Sequence, residues 1–288
     1  MRESAADALV VARHALRESL RRRVFAVVLG ITAAFGALYA WGASELFSDT
    51  NNLGNGQFGL DARTLAGATM LGLTMFGTLF LGSVLAVFLT IGAVRGDAET
   101  GLLQPLVVRP LGRTAYLGGR FMAAASVAMA YVAVVYASAV VVTGVIGDWW
   151  PDHPVASGLR IALAVAVVAA ISLLGSVFLT ATANGIGVLM VFGAGLVSGL
   201  LGTIGEALNS GRLQSISDTA AWLLPFEALY RDALRLLVRD IPGVTGAIVK
   251  LGPLGGSHDA GPWLLPWIVG YVLGVLALAA AAFRRRDL

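Results

Sequence analysis

Between Arg160 and Glu206 the chain runs for 45 residues without a charged side chain. Continued as one α-helix, residues 161–205 would reach about 68 Å, more than twice the roughly 30 Å of a bilayer's hydrocarbon core. The run therefore has to double back. Thr180-Ala-Thr-Ala-Asn184-Gly185 is the expected place, because Asn-Gly is a turn signal. Folded in two, the run reads as a pair of membrane helices.

The rest of the chain agrees. Of 288 residues, 57% are hydrophobic and 13% charged, whereas a soluble domain carries roughly a quarter charged residues. The apolar residues are spread throughout, which points to a single membrane domain. Four further charge-poor regions, 24–44, 64–94, 121–147 and 260–283, bring the expected spans to six: 24–44, 66–94, 121–146, 160–180, 186–206 and 263–283.

Arginines set the orientation. Arg2, Arg13, Arg17, Arg21, Arg22, Arg23, Arg95, Arg109, Arg113, Arg120, Arg284, Arg285 and Arg286 fall on one side of this layout, and the short loops opposite hold only Arg63 and Arg160. Positive charge marks the cytoplasmic side, so both termini are expected there, in the cell membrane. The arginines beside apolar spans act as membrane anchors, and nucleic acid is not an expected partner. Residues 1–23 place Leu9, Ala12, Leu16 and Leu20 at helical spacing, with Arg13, Arg17 and Arg21 on a neighbouring face. That is an amphipathic helix lying in the headgroup layer or packed on a cytosolic partner. Arg21, Arg22 and Arg23 would anchor its end at the membrane surface.

Several chemistries are disfavoured. The chain has no cysteine, which rules out disulfides and thiolate metal sites. A P-loop needs Gly-Lys-Ser/Thr, but the one lysine, Lys250, precedes Leu251. The spans hold essentially no Asp, Glu or His, the residues that proton-coupled transporters place in them. His14, His153 and His258 are isolated, and no catalytic elbow or zinc motif occurs, so no catalytic or metal-binding residues are assigned. Asp148-Trp-Trp-Pro-Asp152-His153 reads as a capped turn with interfacial aromatics.

Residues 94–113, VRGDAETGLLQPLVVRPLGR, interrupt this apolar chain. Asp97 or Thr100 can cap a short helix, with Glu99 near its N-terminus, and Pro105 and Pro110 bound it. On physical grounds alone this is either a docking helix or an ordinary inner loop. The run Gly96-Asp-Ala-Glu99-Thr-Gly101-Leu-Leu103, with Pro105, Arg109-Pro110-Leu-Gly-Arg113 and Leu117-Gly-Gly-Arg120-Phe, resembles the ABC-2 family of ATP-binding-cassette permeases. Here Thr100-Gly101 inverts the family's Gly-Thr, and Arg120 stands where lysine is commoner. Leu223-Leu-Pro225-Phe-Glu-Ala-Leu-Tyr230-Arg231 is similar to the permease branch that serves nitrous-oxide-reductase maturation.

The resemblance implies an all-α integral membrane fold of the type V exporter kind. It has six spans over residues 24–288, an N-terminal interfacial helix and a short cytoplasmic coupling helix within 95–120. It also implies a permease with ATP and Mg bound by a separate nucleotide-binding subunit and a second permease copy as partner, a homodimer. Asp97, Glu99, Thr100, Gly101, Leu102 and Leu103 would contact the ATPase, while Arg113 and Arg120 anchor the segment at the membrane surface. A hydrophobic or amphipathic cargo, such as a lipid, drug or peptide, is expected. The alternatives are a copper- or sulfur-linked maturation complex and a scaffold that moves no solute.

Gly195 and Gly199 form a small-xxx-small pair, for packing inside the chain or for a dimer seam. Loop 207–262 is too long to lack structure. Pro225 followed by Phe226, Leu229, Ala233, Leu236 and Leu237 is expected to form an amphipathic helix bearing Arg231, Arg235 and Arg239, which the resemblance implies is an outer or re-entrant element shaping the exit of the pathway.

Overall fold

A computed structural model describes residues 23–53, 61–94, 113–237 and 261–285. They form eight helices: α1 (Arg23–Leu53), α2 (Ala62–Thr90), α3 (Arg113–Gly147), α4 (Pro154–Phe178), α5 (Ala181–Ala207), α6 (Gly211–Leu223), α7 (Pro225–Leu237) and α8 (Leu264–Arg284). Six contain stretches long and apolar enough to cross a membrane: Ala26–Asp49, Ala62–Thr90, Thr114–Gly147, Pro154–Phe178, Ala181–Glu206 and Leu264–Arg284. The six spans expected from charge-free runs are all present. Asp61 caps α2 by accepting from the backbone N–H groups of Arg63 and Thr64, and Pro154 opens α4, where its missing N–H costs nothing.

The central post is α4, which packs against α2, α3, α5, α7 and α8. Its Ile161, Ala164, Val165, Val167, Ala169 and Ala170 are buried on all sides, as a helix without a polar face requires. In contrast, α1 lies at the edge and presents one stripe, Val28, Tyr39, Ala43 and Phe47, to its neighbours. Two side-chain hydrogen bonds tie it to α3: Tyr39 with Thr143, and Thr32 with Tyr131. Such bonds supply some of the adhesion between helices that share apolar surroundings.

The doubling-back inside 161–205 occurs earlier than Asn-Gly suggests. Leu179 and Thr180 are extended and alone connect α4 to α5. Asn184 and Gly185 belong to the first turn of α5, and Asn184 is fully buried. Its amide finds carbonyl partners on neighbouring elements, which stabilises it inside a helix instead of a turn.

Past α5 the chain turns at Asn209, in the left-handed region at φ 55°, which asparagine tolerates better than most residues. It then runs back into the bundle. Gly205 of α5 faces Leu213 and Gln214 of α6, Gly202 faces Ser217, and Gly195 faces Leu224 and Phe226. Antiparallel α6 thus descends beside α5 to a tip at Leu224, about 18 Å below the end of α5 at 1.5 Å per residue. From there α7 climbs out between α5 and α4. The sequence-expected helix is present at Pro225–Leu237, as the inner arm of a hairpin folded back into the bundle, in keeping with the re-entrant alternative. The polar face of this arm is covered: Glu227, Arg231 and Asp232 are buried along with Phe226 and Leu229.

Candidate functional site

The six permease-like residues singled out for coupling, Asp97, Glu99, Thr100, Gly101, Leu102 and Leu103, lie outside the described residues, as do Arg21 and Arg22. Arg23 and Arg113 open α1 and α3. What is defined is the mounting of the segment 95–112, called here the stem.

The stem begins where α2 ends. Ile91 continues the helical path, and Ala93 and Val94 are almost fully buried. On the return side, Tyr116 and Leu117 in the first turns of α3 pack onto the same cluster, with Leu173 and Val177 of α4 and Ala279 and Phe283 of α8. The Tyr116 hydroxyl donates to Ala93 O at 2.7 Å, so the two roots of the segment are bonded directly to each other. Arg120 departs from the expected surface anchor. It is 8% exposed, with its guanidinium carbon 5.8 Å from the centre of the Tyr116 ring. An aromatic face provides a favourable seat for a guanidinium withdrawn from water.

At the opposite end, the hairpin carries a charge network that sequence reasoning did not anticipate. Arg160 of α4 donates to Asp232 at 2.6 Å, and Arg235 reaches the other Asp232 oxygen at 2.8 Å. One turn deeper, Arg231 pairs with Glu227 at 2.7 Å. Burial pushes the Glu227 carboxyl up to about 7, against the downward pull of Arg231. Its Oε2 has no hydrogen-bond partner among the described residues. Ser157 of α4 adds a bond to Ala233 O at 2.8 Å.

Gly195 and Gly199, the small-residue pair, face this hairpin. A Cβ on Gly195 would strike the Phe226 ring, and one on Gly199 would strike the Glu227 carboxylate. Phe226 also stacks on Phe192, with ring centres 5.4 Å apart. The glycines therefore make a flat seat on α5 for α7 of the same chain. The signal for close approach was in the sequence; the identity of the approaching helix was not.

Among the described residues no group of three or more His, Asp or Glu is placed to hold a metal ion. Between α3 and α4 lies a laterally open cleft of about 590 Å³, lined by Met129, Ala133, Ala137, Val141 and Leu159. Its walls suit an apolar guest.

Six membrane-length helices around a central post, with a hairpin folded back into the bundle, define a multi-pass membrane protein. The sequence model of the ABC-2 family transporter proteins matches residues 9–288. The chain belongs to that family and is a permease subunit of an ATP-binding-cassette system, and the family implies an ATPase partner. A search of curated proteins returned no match to this chain.

Proposed function

We propose that the chain is the permease half of an exporter for a hydrophobic or amphipathic substrate, driven by MgATP hydrolysed on a separate subunit. Two permeases and two ATPases assemble about a two-fold axis in the cell membrane, with the stem and both termini facing the cytoplasm. Residues 97–104 form the coupling helix. Asp97 and Glu99 make polar contacts to the ATPase, and Leu102 and Leu103 fill its groove.

What supports this most is the geometry of the two roots of that segment, at Ala93–Val94 and Tyr116–Leu117. A segment that receives force has to be rooted in a rigid mount, and its two roots are joined by the Tyr116–Ala93 hydrogen bond and seated on α4 and α8. The apolar cleft between α3 and α4 supports the substrate class, and the arginine distribution supports the orientation.

Co-expression with its cognate ATPase tests the assembly. A two-plus-two complex is expected to purify, and Glu99→Ala or Leu102→Ala is expected to lower its ATP hydrolysis while leaving insertion intact. Unchanged hydrolysis in both variants would remove residues 97–104 from the coupling role.

A further inference from the structure

Asn184 occupies the first turn of α5 with no exposed surface. Its Nδ2 donates to Ser172 O of α4 at 2.9 Å and to Ile91 O at the end of α2 at 3.4 Å. The orientation of the amide follows from these partners, because turning it over would set its oxygen against two carbonyl oxygens. Ile91 O is one of the carbonyls that a helix leaves without an intrahelical donor at its C-terminus. Asn184 supplies the donor. Glycines clear the space on both sides: a Cβ on Gly175 would strike Asn184 Oδ1, and one on Gly185 would strike the Ile91 side chain.

The consequence is mechanical. Ile91 stands four residues before the segment 95–112, so the root of that segment is fastened by a side chain to the start of α5. From there α5 runs 27 residues, about 40 Å at 1.5 Å per residue, and its far half is the glycine seat for the hairpin. Asn184 also touches α4, but α4 is packed on five helices and is the least free element in the bundle. Along one side α5 is bare, with Ile186, Met190, Val197, Leu200 and Ile204 exposed.

We propose that Asn184 is a positioning residue for coupling: it passes displacement of the segment 95–112 to α5, and α5 carries the hairpin with it. This rests on the coupling role proposed above for that segment.

The absence of cysteine from the chain allows clean labelling. Val155→Cys at the start of α4 and Ile216→Cys on α6, both at exposed positions, carry spin labels in the complete complex with the ATPase, reconstituted in nanodiscs. ATP hydrolysis and the 155–216 distance are measured before and after ATP with orthovanadate. In the parent chain the distance is expected to shift. With Asn184→Leu, hydrolysis should persist while the population of the shifted state falls about 2- to 30-fold, the span of coupling effects seen for such residues. Asn184→Gln, which keeps the donor, should recover part of the shift.

A full shift in Asn184→Leu would overturn the proposal. So would an ATP-hydrolysing parent complex in which the hairpin does not move, and in that case the coupling role of 95–112 still stands. Failure of any ATPase to bind would remove both. If Asn184→Leu does not assemble, Asn184→Ala takes its place, since it removes the donor without adding bulk. A full shift there overturns the proposal equally.

Discussion

At the stem, apolar side chains from α3, α4 and α8 close over Ala93 and Val94, and the hydrogen bonds of Tyr116 and Asn184 end on main-chain carbonyls. At the hairpin, by contrast, the cross-link to α4 is charge to charge: Arg160 on Asp232, a carboxylate that also holds Arg235 of its own helix. Close-packed apolar contact is barely compressible and passes strain on to its neighbours. A buried ion pair is either made or broken, and breaking it leaves an uncompensated charge. The roots of the stem are therefore held as a rigid mount by close packing, and the hairpin is held by an inter-helix ion pair that is made or broken as a unit.

The sharpest way to break this contrast is Asp232→Ala, which takes from Arg160 its partner on α7. A loss of about 3–5 kcal/mol is expected, read by thermal unfolding of the purified permease, with a label at the stem undisturbed. Next in size is pH. The Glu227 carboxyl is raised from 4.5 to about 7, so its protonated form stabilises the fold fully below the unfolded value. That stabilisation is lost as pH rises through 7. The protein should be more stable near pH 5 than near pH 8 by on the order of 2 kcal/mol, and Glu227→Gln should flatten the profile.

Gly199→Ala comes third. Its methyl group meets the Glu227 carboxylate and should cost about 1.5 kcal/mol, most of it recovered when Glu227→Ala is added; strict additivity in that double-mutant cycle would place α7 elsewhere. The smallest effect belongs to the stem. Tyr116→Phe removes one bond to Ala93 O and should cost about 1 kcal/mol. That loss should add to the Asp232→Ala loss, because the sites are distant and share no partner.

The spans were legible because insertion into a bilayer demands contiguous apolar residues, and runs such as 161–205 permit no other use. The hairpin was only half legible. Its inner arm has helical periodicity, but periodicity shows only that one face of a helix is polar and says nothing of what covers it. The partner of Asp232 is Arg160, 72 residues earlier, a pairing that only the fold brings together. Gly195 and Gly199 announced a close approach without naming Phe226 and Glu227. Asn184-Gly185 misled for a related reason. Two unremarkable extended residues, Leu179 and Thr180, make the reversal, while asparagine finds its partners across helices.

The buried charges of α7 also dictate an order of construction. Released alone into lipid, a helix carrying Glu227, Arg231, Asp232 and Arg235 faces a penalty of several kcal/mol, so it has no stable resting place until its cradle exists. That cradle consists of Ser157 and Arg160 on α4 and the glycine face of α5. Both precede the hairpin in the chain and so leave the ribosome before it. Biogenesis can then run as a threading sequence, in which the hairpin docks last into a groove already cut to receive it, and α8 follows to lay Tyr271 against the hairpin tip at Leu223.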